Sequence, residues 1–398
     1  MKILFVVPDY PPKSSGGGGR VAKVLTEGLH NFGNEVTVLA GYYDRSEKYL
    51  YEENVNGVKI IWLPLMNIFV KNMPQLIYSL PPRLSSLKFL LSFDYTKYDV
   101  IHLFAYPTHL FVDIISIISK NKNFILTIHA FPHYVNEMGP ASLIFKLIYR
   151  CYLSIINRYM INYCKVITAV SIQTKKDAIK HNIPSKKLML VPNGIYLKHF
   201  GSEDLINKQN FGIIEADFLV TSIGRITWHK GFEYALIGIK KSIKDIPDLK
   251  YIIIGEVIDL IYFNKLKDII QRNDLSDRVI LTGYVNDDVK LHILTRSNIY
   301  LAPSLHEGFG LTLLEAMKCR VPIIATNTAG HSDILNHMET AIMVETKNSE
   351  TIANSIKLLY KDKDLREKLI RNCTQVVEIY NWDTIIIKYE NIYRSIKY

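Results

Sequence analysis

The sequence predicts an α/β protein built from two doubly wound domains, and three observations lead there. Short runs rich in β-branched residues, each bounded by turn formers, alternate with longer amphipathic stretches, the signature of βαβ units and mostly parallel sheets. The alternation lapses once, around Pro192 to Phe211, where "PNGIYLKHFGSEDLINKQN" is polar and rich in turn residues. A chain of 398 residues, 48% of them hydrophobic, is long enough to fill two separate cores. The expected division is residues 1–194 and 195–380, with residues 381–398 packing back on the first domain.

The first strand is "KILFVV", followed by a long connection carrying "SSGGGGR", Ser14 to Arg20, and then a helix "VAKVLTEGLHNFG". Glycines lacking a side chain let backbone N–H groups approach an anion or a sugar, and a helix N-terminus adds partial positive charge. The pattern is not GxGxxG, because position 21 is valine, and no GK[ST] follows, so neither a nicotinamide nor a P-loop site is indicated. A surface loop without a ligand explains the glycines too. Further strands follow at "EVTVLA", "VIHLF", "FILTIH" and "VITAVS". Residues 141–165 are apolar over most of a helix, with Lys146, Arg150, Ser154, Asn157, Arg158 and Lys165 along one stripe. Together with residues 65–93, which mix aliphatics with Pro74, Pro81, Pro82, Arg83 and Lys88, this surface has the character of one that lies on an anionic membrane leaflet. A core helix whose cations snorkel outward accounts for 141–165 equally well.

The second half reads as strands "FLVTSIG", "KYIIIG", "RVILTG", "IYLAPS" and "PIIAT". After the first of these, "SIGRITWHKG" brings Arg225 and Lys230 close to Gly224, a pair suited to neutralising a pyrophosphate. A solvated pair of cations is the alternative. After "IYLAPS", the stretch "HEGFGLTLLEAMK" sets Glu307 before a turn and Glu315 in the helix beyond it. The N–H groups of Gly308, Phe309, Gly310 and Leu311 open that helix and favour a phosphate, and carboxylates accept from sugar or ribose hydroxyls. If Glu307 merely capped the helix and Glu315 merely complemented its dipole, the two glycines would have no explanation.

These residues resemble the retaining GT-B glycosyltransferases of glycosyltransferase family four, whose fingerprint is E-x7-E, here "EGFGLTLLE". The likeness also covers the glycine-rich first loop, "VPNGI", "GRITWHKG", "LTGYV" and "TNTAGHSDIL", and so nearly the whole chain. It implies two Rossmann-like domains facing across a cleft, with transfer of a hexose from a nucleotide-diphosphate sugar, UDP- or GDP-linked, to a glycan or lipid-linked acceptor. It also implies retained anomeric configuration and a role in cell-surface polysaccharide or glycolipid synthesis. Carried over by residue, Glu307 holds donor-sugar hydroxyls, Glu315 the ribose, Arg225 and Lys230 the diphosphate, and the backbone from Gly308 to Leu311 the sugar and phosphate. Tyr284 and Val285 lie beside the nucleobase. Gly16 to Gly19, with Gly17 and Gly18 at their centre, line the cleft from the first domain. His129 in "LTIHAF" is placed near the anomeric centre, ahead of His133 and His306. The sequence departs from the pattern at Glu256 and Val257, where relatives carry a second glycine pair, at Ala130, and at Asp333.

No metal and no resident cofactor is expected. Asp362 and Asp364 in "YKDKDLREK" have DxD spacing but read as a charged helix start. The four cysteines, Cys151, Cys164, Cys319 and Cys373, form no CxxC pair. The opening "MKILFVVPDY" has only a five-residue apolar run before Pro8. A reducing cytoplasm, with a peripheral place on the inner membrane face, is therefore the expected setting. Charge is lopsided: residues 1–200 hold 23 Lys and Arg against 12 Asp and Glu, and the rest 25 against 26. Such a basic half suits nucleic acid, an anionic leaflet or an anionic substrate; given the resemblance, nucleic acid is the partner not expected. A sugar-nucleotide epimerase of the same plan and a non-catalytic sugar-nucleotide-binding subunit remain as alternatives.

Overall fold

A computed structural model describes residues 1–13, 17–42, 49–66, 82–104, 110–119, 123–129, 162–196 and 217–397. The chain folds as two compact units, Met1–Asn193 joined by the segment from Trp382 on, and Gly194–Asn381. The fold is GT-B, each unit a Rossmann-like sheet interleaved with helices.

Among the described residues the first sheet has eight strands: β1 (Lys2–Val7), β2 (Glu35–Tyr42), β3 (Tyr51–Val55), β4 (Val58–Pro64), β5 (Val100–Phe104), β6 (Phe124–Ile128), β7 (Cys164–Ala169) and β8 (Leu188–Leu190). Their order is β3-β4-β2-β1-β5-β6-β7-β8, parallel throughout except for the β3–β4 hairpin. The parallel strands read as unbroken apolar runs because both faces are covered: Ile3, Leu4, Phe5 and Val6 are wholly buried in β1, as are Ile101 and Leu103 in β5. The second sheet contains β9 (Phe218–Ile223), β10 (Leu249–Ile254), β11 (Val279–Gly283), β12 (Ile299–Ala302), β13 (Ile323–Thr326) and β14 (Ile342–Val344). All are parallel, in the order β11-β10-β9-β12-β13-β14. Chain order therefore reverses between β1 and β5 in one sheet and between β9 and β12 in the other. Loops leaving the carboxyl ends of neighbouring strands diverge there, which is where open α/β sheets hold their ligands.

Four strands, β3, β4, β8 and β14, go beyond those the apolar runs indicate. Strand β3 is "YEENV", half-exposed and polar, and β8 and β14 have three residues each. The β3–β4 turn does carry a legible signal: Asn56 and Gly57, both with positive φ (52° and 81°), form the Asn-Gly pair that favours a tight hairpin.

The helix after β1 starts at Gly17 and runs to Asn31, four residues earlier than the start expected at Val21. Gly17 to Arg20 thus form its first turn rather than a loop. Gly19 is required there, since a Cβ would stand 2.3 Å from the Asp9 carbonyl oxygen. Ser14 to Gly16, most of 65–93, nearly all of 141–165, Ala130, His133 and Cys151 lie outside the described residues.

The helix Trp382–Lys397 belongs to the first unit. Its Tyr393 hydroxyl meets His102 Nδ1 at 2.7 Å, and the other ring nitrogen of His102 meets Thr127 Oγ1 at 2.7 Å. Thr127, Thr168 and Tyr389 extend this buried network, and Asn34 donates to Glu390 at 2.9 Å. Burial pushes the His102 imidazole down to about 3, so the ring is neutral and bridges two hydroxyls.

Candidate donor-binding site at the second switch point

Two loops meet outside the carboxyl ends of β9 and β12. The first continues from Ile223 through Gly224 and Arg225 to a 3₁₀ turn, Trp228–Lys230, which ends on Gly231 in the left-handed region (φ 65°). Glycine is needed at 231 on two counts, its φ and the Pro303 carbonyl oxygen, 2.3 Å from where a Cβ would sit. The second loop runs from Pro303 to Gly310. The Leu305 N–H donates to the His229 carbonyl at 2.7 Å and ties the loops together.

This tie brings Lys230 and Glu307 into contact, 77 residues apart in sequence. Lys230 Nζ donates to Glu307 Oε2 at 2.6 Å, and Ser304 Oγ approaches the same oxygen at 3.3 Å. The lysine stem lies across the backbone of Gly224, where a Cβ would be only 3.2 Å from Cε. Both side chains are mostly shielded, with 17% and 21% of their surface exposed. Burial acting alone would raise the Glu307 carboxyl, but Lys230, His331 and His229 outweigh it and hold it at about 2. His229, itself lowered to about 4 by burial, stands in the field of Lys230, Glu307, Arg225 and His306, so all five groups share one small region.

Gly310 caps the helix Leu311–Lys318 from the left-handed region, φ 96°. Its Leu313, Leu314, Ala316 and Met317 are buried, which leaves Glu315 on the flank. Phe309 is buried against Tyr380, so its side chain is core, and only its backbone can serve a ligand. Gly330 packs so close to the turn that a Cβ there would lie 2.4 Å from the Glu307 carbonyl oxygen. Glu315 Oε1 accepts from Lys290 Nζ at 2.6 Å, while Oε2 is buried with no hydrogen-bond partner among the described residues. In the first unit, His129 follows β6 directly and tilts against Phe104, ring centroids 4.7 Å apart. Burial pushes its imidazole down to about 4, and Nε2 has no hydrogen-bond partner among the described residues. It is therefore a neutral ring at physiological pH.

Comparison with known proteins bears on both units. Residues 15–199 match the family model described as Glycosyltransferase Family 4, and residues 204–376 match Glycosyl transferases group 1. The chain belongs to this glycosyltransferase family. An uncharacterized glycosyltransferase of Methanocaldococcus jannaschii is 29% identical over 99% of this chain and 98% of its own length. The N-acetyl-alpha-D-glucosaminyl L-malate synthase of Bacillus anthracis is 23% identical over 100% and 98%. Among solved structures, sucrose-phosphate synthase from Thermosynechococcus elongatus superposes with a TM-score of 0.78 at 19% identity, covering 99% of each chain. Anabaena HepE in complex with UDP-glucose gives 0.77 at 17% identity, covering 99% and 100%.

Other residues of this glycosyltransferase that the sequence singles out are more scattered. Arg225 is half-buried directly after β9, beside Gly224. Tyr284 is exposed after β11, whereas Val285 turns inward onto a small core of Leu219, Ile252, Ile254 and Ile293. Gly18 has open space around the position of a Cβ, on the first turn of the Gly17–Asn31 helix in the other unit. Glu256 and Val257 run alongside the β9 loop: Ile226 N–H donates to the Glu256 carbonyl at 2.8 Å, and Ile226 bridges Val257. Gly255 lies so close that a Cβ would be 1.9 Å from the Gly224 carbonyl oxygen. Asp362 caps the helix Lys363–Val377 by accepting from the Leu365 N–H at 2.8 Å. His306 is exposed, its ring edge-on to Trp228. Sequence reasoning missed His229, Lys290, Ser304 and His331. No spacing rule joins Lys290 to Glu315, and His331 is visible only as part of "TNTAGHSDIL". Among the described residues, no helix is long and apolar enough to cross a membrane.

Proposed function

We propose that this chain is a retaining hexosyltransferase that uses a nucleotide-diphosphate sugar and needs no metal. The observation that carries the reading is the convergence, at one switch point, of the Lys230–Glu307 pair, the Gly310-capped helix and the half-paired Glu315 carboxylate. A nucleotide sugar needs these three chemistries: cations for the diphosphate, a dipole for its oxygens, and carboxylates for hydroxyl donors. Arg225 and Lys230 take the diphosphate, Glu307 the sugar hydroxyls, Glu315 the ribose, and the backbone of Gly308 to Leu311 the sugar and distal phosphate. The base rests against the Tyr284–Val285 segment, and His129, neutral, orients the sugar near its anomeric carbon.

Retention follows a same-face course. The bond from the anomeric carbon to the phosphate oxygen breaks while the acceptor oxygen bonds on the same face. The departing phosphate takes the acceptor's proton. Charge accumulating on that phosphate is met by Lys230, Arg225 and the helix dipole, which stabilise the leaving group more than the bound donor. The relatives' names support a role in polysaccharide or glycolipid synthesis: one is an Escherichia coli galactosyltransferase acting on a diphosphoundecaprenol-linked sugar, another a Staphylococcus aureus capsular polysaccharide glycosyltransferase. Acceptors of that lipid-linked or glycan class, UDP or GDP as the donor's nucleotide, and a peripheral place at an anionic membrane belong to the same proposal.

Calorimetric titration of UDP, GDP and ADP and their sugar conjugates into the wild type and Glu315→Ala tests it. Micromolar binding of one nucleotide, weakened about tenfold or more in the mutant, is expected. Binding no better than millimolar for every nucleotide overturns the assignment. Once an acceptor is in hand, the anomeric proton coupling of the product decides retention.

A further inference from the structure

Glu315 does not stand alone, and its orientation is set by a residue from another helix. Lys290 lies on the helix Asp287–Thr295, which follows β11 and the Tyr284–Val285 segment. Its side chain is 7% exposed, and its Nζ spans two carboxylates: Glu315 Oε1 at 2.6 Å and Asp287 Oδ1 at 2.9 Å. Asp287, 61% exposed, is three residues earlier on the same helix and steadies the ammonium from the solvent side. One oxygen of Glu315 is therefore committed and the other, Oε2, is buried without a donor among the described residues. Buried acceptors normally have partners, and a carboxylate half-satisfied in this way is complete only when a hydroxyl or N–H arrives.

We propose that Lys290 is a positioning residue for ribose recognition: by holding one oxygen of Glu315, it fixes the carboxylate plane and reserves the other oxygen for a sugar hydroxyl. This rests on the reading of Glu315 as the ribose contact. Because Asp287 and Lys290 begin the helix that directly follows Val285, the same link couples the segment assigned to the base with the carboxylate assigned to the ribose. Other groups near Glu315 do not do this. Tyr300, Lys318 and Cys319 feel its charge, but Tyr300 donates its hydroxyl hydrogen bond to Thr312, and Lys318 donates to the Tyr196 carbonyl. Burial acting alone would lower Lys290, but Glu315 and Asp287 outweigh it and raise the ammonium above its ordinary value, so it is charged throughout the neutral range.

The test is the ratio of dissociation constants for a 2′-deoxy- or 3′-deoxynucleoside diphosphate against its ribonucleotide. It uses whichever of UDP, GDP and ADP binds the full chain most tightly. In wild type, at least one deoxy form is expected to bind about tenfold more weakly, and Glu315→Gln should bring that ratio close to one. Lys290→Met should lower the ratio at least threefold while the diphosphate contribution, read with inorganic pyrophosphate as competitor, stays within twofold. Asp287→Ala, a change at an exposed site, should lower it by a smaller factor and covers the case in which Lys290→Met does not fold. If Glu315→Gln leaves the ratio unchanged, the ribose reading itself fails. If Glu315→Gln abolishes the discrimination but Lys290→Met and Asp287→Ala both keep the wild-type ratio, the positioning role alone is overturned. If Lys290→Met is insoluble, an unchanged ratio in Asp287→Ala overturns it.

Discussion

Replacing Lys230 by methionine should reveal a stabilisation that depends on pH in a defined direction. In the folded chain, the Glu307 carboxyl is held at about 2 against an ordinary 4.5. That depression, at about 1.4 kcal/mol per pH unit, corresponds to roughly 3 kcal/mol of folding free energy at neutral pH. Burial opposes it, and Lys230 is the largest of the groups that lower it, with His331 and His229 sharing the rest. Lys230→Met therefore removes most of the roughly 3 kcal/mol and leaves a shielded carboxylate without its cation, a change of the size known for breaking buried pairs. The sign follows from the depressed carboxyl: the stabilisation is fully present above pH 4.5 and is lost as pH falls towards 2. Urea unfolding of wild type and Lys230→Met at a series of pH values should give a gap of about 2 to 3 kcal/mol at pH 7 that narrows steadily below pH 4.5. A gap that stays constant from about pH 7 to about pH 3 would refute the reasoning, because the loss would then be packing of the lysine stem against Gly224 and not the ion pair.

Three other substitutions probe the rest of the architecture. Gly330→Ala drives a Cβ into the Glu307 carbonyl and should cost about 1 to 3 kcal/mol in thermal unfolding, with nucleotide-sugar affinity falling tenfold or more; unchanged affinity would show that the turn tolerates the shift. Tyr393→Phe strands a ring nitrogen of buried His102 and should destabilise the first unit by about 1 to 3 kcal/mol, read by chemical denaturation, while donor binding by the second unit stays near wild type. His129→Asn should depress transfer far more than nucleotide binding, and equal losses in both would remove it from the anomeric centre.

Much of the fold was legible because parallel strands buried on both faces have no choice but to be apolar: "KILFVV", "VIHLF" and "KYIIIG" announce β1, β5 and β10 without help from tertiary context. Strand β3 was not, because "YEENV" faces solvent at the sheet edge and reads as a polar loop, although Asn56 and Gly57 beside it mark the hairpin. The start of the first helix is hidden because four glycines argue against a helix by propensity, while the close approach of Gly19 to Asp9 leaves no room for a larger residue there. At the site, the two glutamates and the glycines between them were readable as spacing on one segment. Contacts between segments were not: Lys230 with Glu307 and Lys290 with Glu315 depend on how β9, β11 and β12 order in the sheet, which no local pattern encodes.

The return of Trp382–Lys397 to the first unit also orders events on the ribosome. The whole of Gly194–Asn381 is synthesised after Asn193 and before Tyr389, Glu390 and Tyr393 exist, so His102, Thr127, Thr168 and Asn34 emerge long before their partners on the last helix. During that interval the second unit has every strand of its own sheet and can close first, although the other unit began earlier. A nascent chain stalled short of Trp382 would then hold the strands of the second sheet beside a first unit still lacking the side chains of Tyr389, Glu390 and Tyr393.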